Sequence, residues 1–202
     1  MDPRQSPDAE ADFRERLGEA LAKDNDDEPL VLGFFDASWP QPFKNSQRMW
    51  SYDRTVEINK PMVAVPWKTI GFYALLGNST LIFRERTTKE SICAALEAVR
   101  EQNPVGRILL IADNDGGHHA KLTQKRADEL GIEFLFLPPY SPMFNAIEPL
   151  WKSLRRKISP TIFEGQEHFK QFVTDTFIDL SKRLSFANSW IEKFLPNVQM
   201  LR

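Results

Sequence analysis

Two short, unbroken apolar runs constrain this chain more than any other feature. They are Leu30-Val31-Leu32-Gly33-Phe34-Phe35 and Ile108-Leu109-Leu110-Ile111-Ala112. Neither alternates with polar residues and both are too short for a typical helix, so each reads as a strand buried on both faces. A sheet with such strands needs helices covering it on both sides.

The rest of the chain supplies them. Ile70 to Leu76 and Ser79 to Arg84, joined by Gly77-Asn78, predict an antiparallel hairpin, with a further strand segment at Met62 to Trp67. Thr87 and Glu90 fit a capping box that opens a helix to about Gln102, and Arg107 to Ala112 follows as a strand. A helix from about His118 to Leu130 is stopped by Gly131, and Glu133 to Leu137 is the last strand before Pro138-Pro139. Ile147, Leu150, Trp151, Leu154 and Ile158 recur at helical spacing, with Pro149 tolerated in the first turn. A second closing helix runs from about Glu167 to Lys182. The order predicts an α/β domain with a mixed sheet flanked by helices.

At 202 residues with 42% hydrophobic composition, the chain can bury one sizeable core. No apolar stretch approaches the roughly 18 residues that span a bilayer, and no apolar segment marks the N-terminus as a signal peptide. A cytoplasmic protein with no membrane partner is the expectation. Cys93 is the only cysteine, which excludes an internal disulfide and cysteine-based zinc sites, and it falls on the apolar side of its helix.

The formal net charge is −2, but residues 1 to 28 hold ten acids against four bases, a net −6, leaving about +4 for the remainder. The expected division is therefore an acidic tail or linker over 1–28, with at most one short helix at Asp12 to Ala22, and one folded domain over 29–202.

Three acids carry the chemistry. Asp36 closes the first apolar run, Asp113 follows the second, and Glu148 opens the apolar-striped helix, with 34 residues between Asp113 and Glu148. Carboxylates placed where buried elements meet loops suit a divalent-metal site for phosphoryl transfer, because Mg²⁺ takes hard oxygen ligands and keeps positions open for substrate.

Asp36 after its strand, Asp113-Asn114 followed by His118, and Ser141-Pro142-x-x-Asn145-x-x-Glu148-x-x-Trp151 together resemble the catalytic domain of a mariner-like DDE transposase, over roughly residues 30 to 195. The resemblance implies a ribonuclease-H-like fold with a five-stranded mixed sheet. It implies Asp36, Asp113 and Glu148 as catalytic residues holding two Mg²⁺ or Mn²⁺ ions. It also implies DNA cleavage and strand transfer at the ends of an insertion sequence, with double-stranded DNA, both element ends and target, as partner. Because two ends must be joined, the resemblance implies a homodimer or synaptic complex as well, and it implies a nucleoid-associated protein of a prokaryote.

Asn114, His118 and Asn145 are accessory candidates at matching family positions. Lys152, Arg155, Arg156 and Lys157, on the helix of Glu148, are candidates for phosphate contact. Asp115 reads as a turn residue and His119 as a surface residue, while Trp39, Trp50 and Tyr52 are candidates for stacking on bases.

Two features depart from the family pattern. Ala37 stands where Glu often follows the first acid. Only 29 residues precede Leu30, fewer than the family's helix-turn-helix segment, so a separately encoded helix-turn-helix partner is expected. Two other readings stand beside this one. The first is a truncated remnant that binds DNA or a partner subunit without transposing. The second is an aspartate-nucleophile phosphatase using Asp36, in which Ser38 occupies the place where that chemistry wants a second acid.

Overall fold

The computed structural model describes residues 7–23, 29–43 and 60–195. Its centre is one five-stranded sheet built from β1 (Leu30–Ser38), β2 (Lys68–Leu76), β3 (Thr80–Arg84), β4 (Arg107–Ala112) and β5 (Ile132–Phe136), in the order β3-β2-β1-β4-β5. β1 pairs antiparallel with β2, and β2 with β3, whereas β1–β4 and β4–β5 are parallel. The hairpin thus closes one side of the sheet, and the strands separated by helices form the parallel side.

Alternation along β1 assigns the two faces. Val31 and Phe35 pack beneath α2 (Lys89–Gln102) and α3 (Lys121–Glu129), together with Ile108, Leu110 and Ile132. Leu32 and Phe34 face the opposite layer of α1 (Pro7–Ala22), α4 (Ile147–Ile158), α5 (Gln166–Ser181) and α6 (Asn188–Phe194). All five residues of the predicted apolar stripe of α4 are buried, as its spacing requires. Gly131, at φ +62°, ends α3 in the left-handed conformation that glycine tolerates.

Several expectations need correction. Residues 7–22 are not a tail: they form α1, which starts at Pro7 rather than Asp12 and buries Phe13, Leu17 and Ala20. The Phe13 ring meets Phe194 edge-on at 5.2 Å, and Arg107 donates to the Ala20 carbonyl at 2.6 Å. The acids dominate the composition of this segment, but Phe13, Leu17 and Ala20 recur on one helical face and dock it.

Met62 to Trp67 forms no strand. Val63 and Val65 are buried and Met62 is 89% exposed, yet Pro61 precedes the segment and Pro66 lies within it, and neither brings an N–H to a ladder. The N-cap of α2 is Thr88, which accepts from the Ser91 N–H at 3.3 Å, one residue later than the capping box places it. α3 begins at Lys121 because His118 and His119 belong to a turn. The sequence reading has no counterpart to α6, which buries Trp190 and Phe194.

Candidate active site

The sheet brings the three acids to one region. Asp36 lies inside β1, opposite Gly71 of β2, so it is a strand residue rather than the start of a loop. Phe35 pairs with Ala112 across β1 and β4, which puts Asp36 and Asp113 next to each other beyond that pair. Glu148 is the second residue of α4, on the face of the sheet towards which Leu32 and Phe34 point.

Their environments differ. Burial pushes the Asp36 carboxyl up to about 7, and the negative charges of Glu148 and then Asp113 add to the effect. The Ala37 backbone N–H and the Trp151 indole oppose it, the latter donating to Asp36 Oδ2 at 3.1 Å. Asp113 is half-exposed and lies below the usual carboxylate range, first through its bond to His118 Nδ1 at 3.1 Å. His118 is buried between the rings of Phe35 and Phe134. Burial lowers its pKa, but its hydrogen bonds and attraction to Asp113 outweigh that and raise it overall.

Asn114 ties the β4 end to the β5 end by donating to the Leu137 carbonyl at 2.6 Å, which is a structural tie. The Asn145 carbonyl accepts from the Glu148 N–H at 3.1 Å, and its buried side chain leaves Oδ1 without a partner. Asp115 accepts from the Gly117 N–H at 2.8 Å, as a turn residue does. His119 is exposed and stacks on Phe136 at 4.0 Å.

Of the four basic candidates, Arg155 reaches the site, with Nη2 4.0 Å from Glu148 Oε2 and Nη1 donating to Ser38 Oγ at 3.4 Å. Lys152, Arg156 and Lys157 are exposed on the rest of α4. Trp39 is 55% exposed, whereas Trp50 and Tyr52 lie outside the described residues. A cleft of about 490 Å³ opens beside two of the acids, walled by Asp113, Pro138, Pro139, Tyr140, Asn145 and Glu148.

Sequence reasoning missed Trp151 as a partner of Asp36, having read it only as an apolar-stripe and motif residue. The available signal is that a buried indole N–H needs an acceptor. Ser38 beside Arg155 had no signal in the sequence.

An all-oxygen donor set in which the half-buried Asp36 carboxylate is pushed up by burial first and by two other carboxylates next fits a divalent cation, which would relieve the repulsion among them. Among the described residues no three His, Cys, Asp or Glu side chains close into a ready-made cage.

The family of DDE superfamily endonucleases matches residues 31–170. No curated protein matches the chain. Among solved structures, the Mos1 transposase paired-end complex with left transposon end is similar at TM-score 0.64 and 16% identity, covering 96% of this chain and 62% of that one. The catalytic domain of Mos1 mariner transposase gives TM-score 0.59 at 16% identity, covering 96% and 90% respectively. The Mos1 strand transfer complex gives TM-score 0.62 at 14% identity, and this chain spans 58% of its length. These likenesses bear out the ribonuclease-H-like fold, and the match over residues 31–170 takes in all three acids: the chain belongs to the DDE superfamily endonucleases.

Proposed function

We propose that this chain is the catalytic domain of a transposase, a metal-dependent DNA endonuclease and strand transferase. The observation that carries the reading is the convergence of Asp36, Asp113 and Glu148, with the Asp36 carboxyl raised first by burial and then by the charges of Glu148 and Asp113. Mg²⁺ or Mn²⁺ ions held by these three carboxylates would stabilise phosphoryl charge and provide a nucleophile of lowered pKa at neutral pH.

The chain's own residues supply orientation. Trp151 and the Ala37 N–H hold the Asp36 carboxylate, and His118 holds Asp113. Arg155, beside Glu148, is placed to meet a DNA phosphate. In the first step a water oxygen bonds to phosphorus and the P–O3′ bond breaks, the 3′ oxygen leaving with a proton. In the second, that 3′-hydroxyl attacks a target phosphate and displaces the target's own 3′ oxygen. Neither step needs a protein nucleophile, which sets this reading apart from a phosphatase. Ser38, where a phosphatase would want an acid, is engaged by Arg155.

The partner is double-stranded DNA, with element ends held in a synaptic complex of two copies, and the protein acts where that DNA lies, in the nucleoid. The similar Mos1 structures include a paired-end complex with left transposon end and a strand transfer complex, which supports this assembly. A labelled duplex with a free 3′-hydroxyl, incubated with supercoiled plasmid and Mn²⁺, tests it. Joining of label to plasmid that EDTA abolishes is expected; a folded chain that neither joins nor nicks DNA would overturn the proposal.

A further inference from the structure

Trp151 is fully buried, and a buried indole N–H left unpaired would carry its full desolvation cost. Its acceptor is a titratable carboxylate at the candidate site, Asp36 Oδ2. Room for the ring comes from Gly71, the partner of Asp36 across β1 and β2, where a Cβ would stand 2.8 Å from the indole. Phe177 also packs against the indole, its ring centre 5.1 Å away. Trp151 also lies three residues after Glu148 on α4, the spacing that places two side chains on neighbouring rows of a helix. One hydrogen bond therefore ties the strand of the first acid to the helix of the third.

We infer that Trp151 is a positioning residue for the metal ligands: its N–H fixes the Asp36 carboxylate and registers α4 on β1, with Gly71 making the space. The inference rests on the function proposed above. An indole N–H only donates, so Oδ2 is kept as an acceptor, and a bond to a carboxylate is stronger than one between neutral groups. Burial in this layer asks only for an apolar ring, as at Phe169 and Phe177; the N–H has no packing role.

The test is Mn²⁺ binding by the wild-type chain and by Trp151→Phe, measured by titration calorimetry at fixed pH, with cooperative unfolding checked for both. Partners that orient metal ligands typically contribute about 10- to 100-fold in affinity. Trp151→Phe is expected to bind Mn²⁺ weaker by that factor while still unfolding cooperatively. A folded Trp151→Phe that binds as tightly as wild type overturns the inference alone, whereas a wild type that binds no Mn²⁺ overturns the proposed function and this inference with it. Should Trp151→Phe fail to fold, the wild-type indole N–H resonance, assigned through its contacts with Gly71 and Phe177, still decides. It is expected to shift on Mg²⁺ addition, and a resonance that stays put refutes the role.

Discussion

Replacing Asp36 by asparagine removes a charge that the metal-free fold holds at a cost. The folded-state pKa is about 7 against an ordinary 3.8, with burial as the first cause and Glu148 and Asp113 next. Because the folded value is raised, the folded chain binds the extra proton. Stability from this group is fully present below 3.8 and is lost as pH rises through 7. At about 1.4 kcal/mol per pKa unit, the whole window is on the order of 4 kcal/mol, and the part between pH 5 and pH 8 roughly 2 to 3 kcal/mol. The amide introduced by Asp36→Asn does not titrate, and its carbonyl can still accept from Trp151.

Urea unfolding in EDTA at pH 5 and pH 8 isolates the effect, since groups common to both proteins, such as His118, cancel in the comparison. The stability of Asp36→Asn relative to wild type should rise by roughly 2 to 3 kcal/mol from pH 5 to pH 8. A gap that stays constant over that range would show that Asp36 is not held against its neighbours' charge, and the electrostatic description of the site would fail.

Other outcomes follow from the same structure. Mg²⁺ should raise the unfolding midpoint of wild type and leave Asp36→Asn nearly unmoved, which thermal scans with and without the ion would check. Phe13→Ala should cost about 3 to 5 kcal/mol in urea unfolding, because Phe13 is fully buried against Phe194; a change near zero would restore the tail description of this segment. Arg155→Gln should weaken binding uniformly across DNA sequences and flatten the dependence of log K on log salt by about one, measured by titration at several salt concentrations.

What the sequence disclosed depended on how local the physics was. The buried strands, the α4 stripe and the Gly131 stop are each set by neighbours within a few residues, so pattern alone located them. The places of two acids in the fold were legible for a related reason: Asp113 follows an apolar run and Glu148 opens a striped helix. The docking of α1, expected only as a short helix in a tail, was hidden because its acids swamp Phe13, Leu17 and Ala20 in any charge count, and the surface it docks on is assembled partly from α6. The Asp36–Trp151 bond joins residues 115 apart in sequence, and the gap at Gly71 that admits the indole exists only once β1 and β2 are paired. No periodicity reports such a contact.

The central claim is that Asp36, Asp113 and Glu148 act as one metal-dependent DNA-cutting site. Nicking of supercoiled plasmid in Mg²⁺ or Mn²⁺ tests it most directly, comparing wild type with Asp36→Asn, Asp113→Asn and Glu148→Gln, each shown to be folded. Nicks bearing 3′-hydroxyl ends are expected with wild type, and none above background with any of the three. Nicking at near wild-type rate by any one of them would contradict the claim.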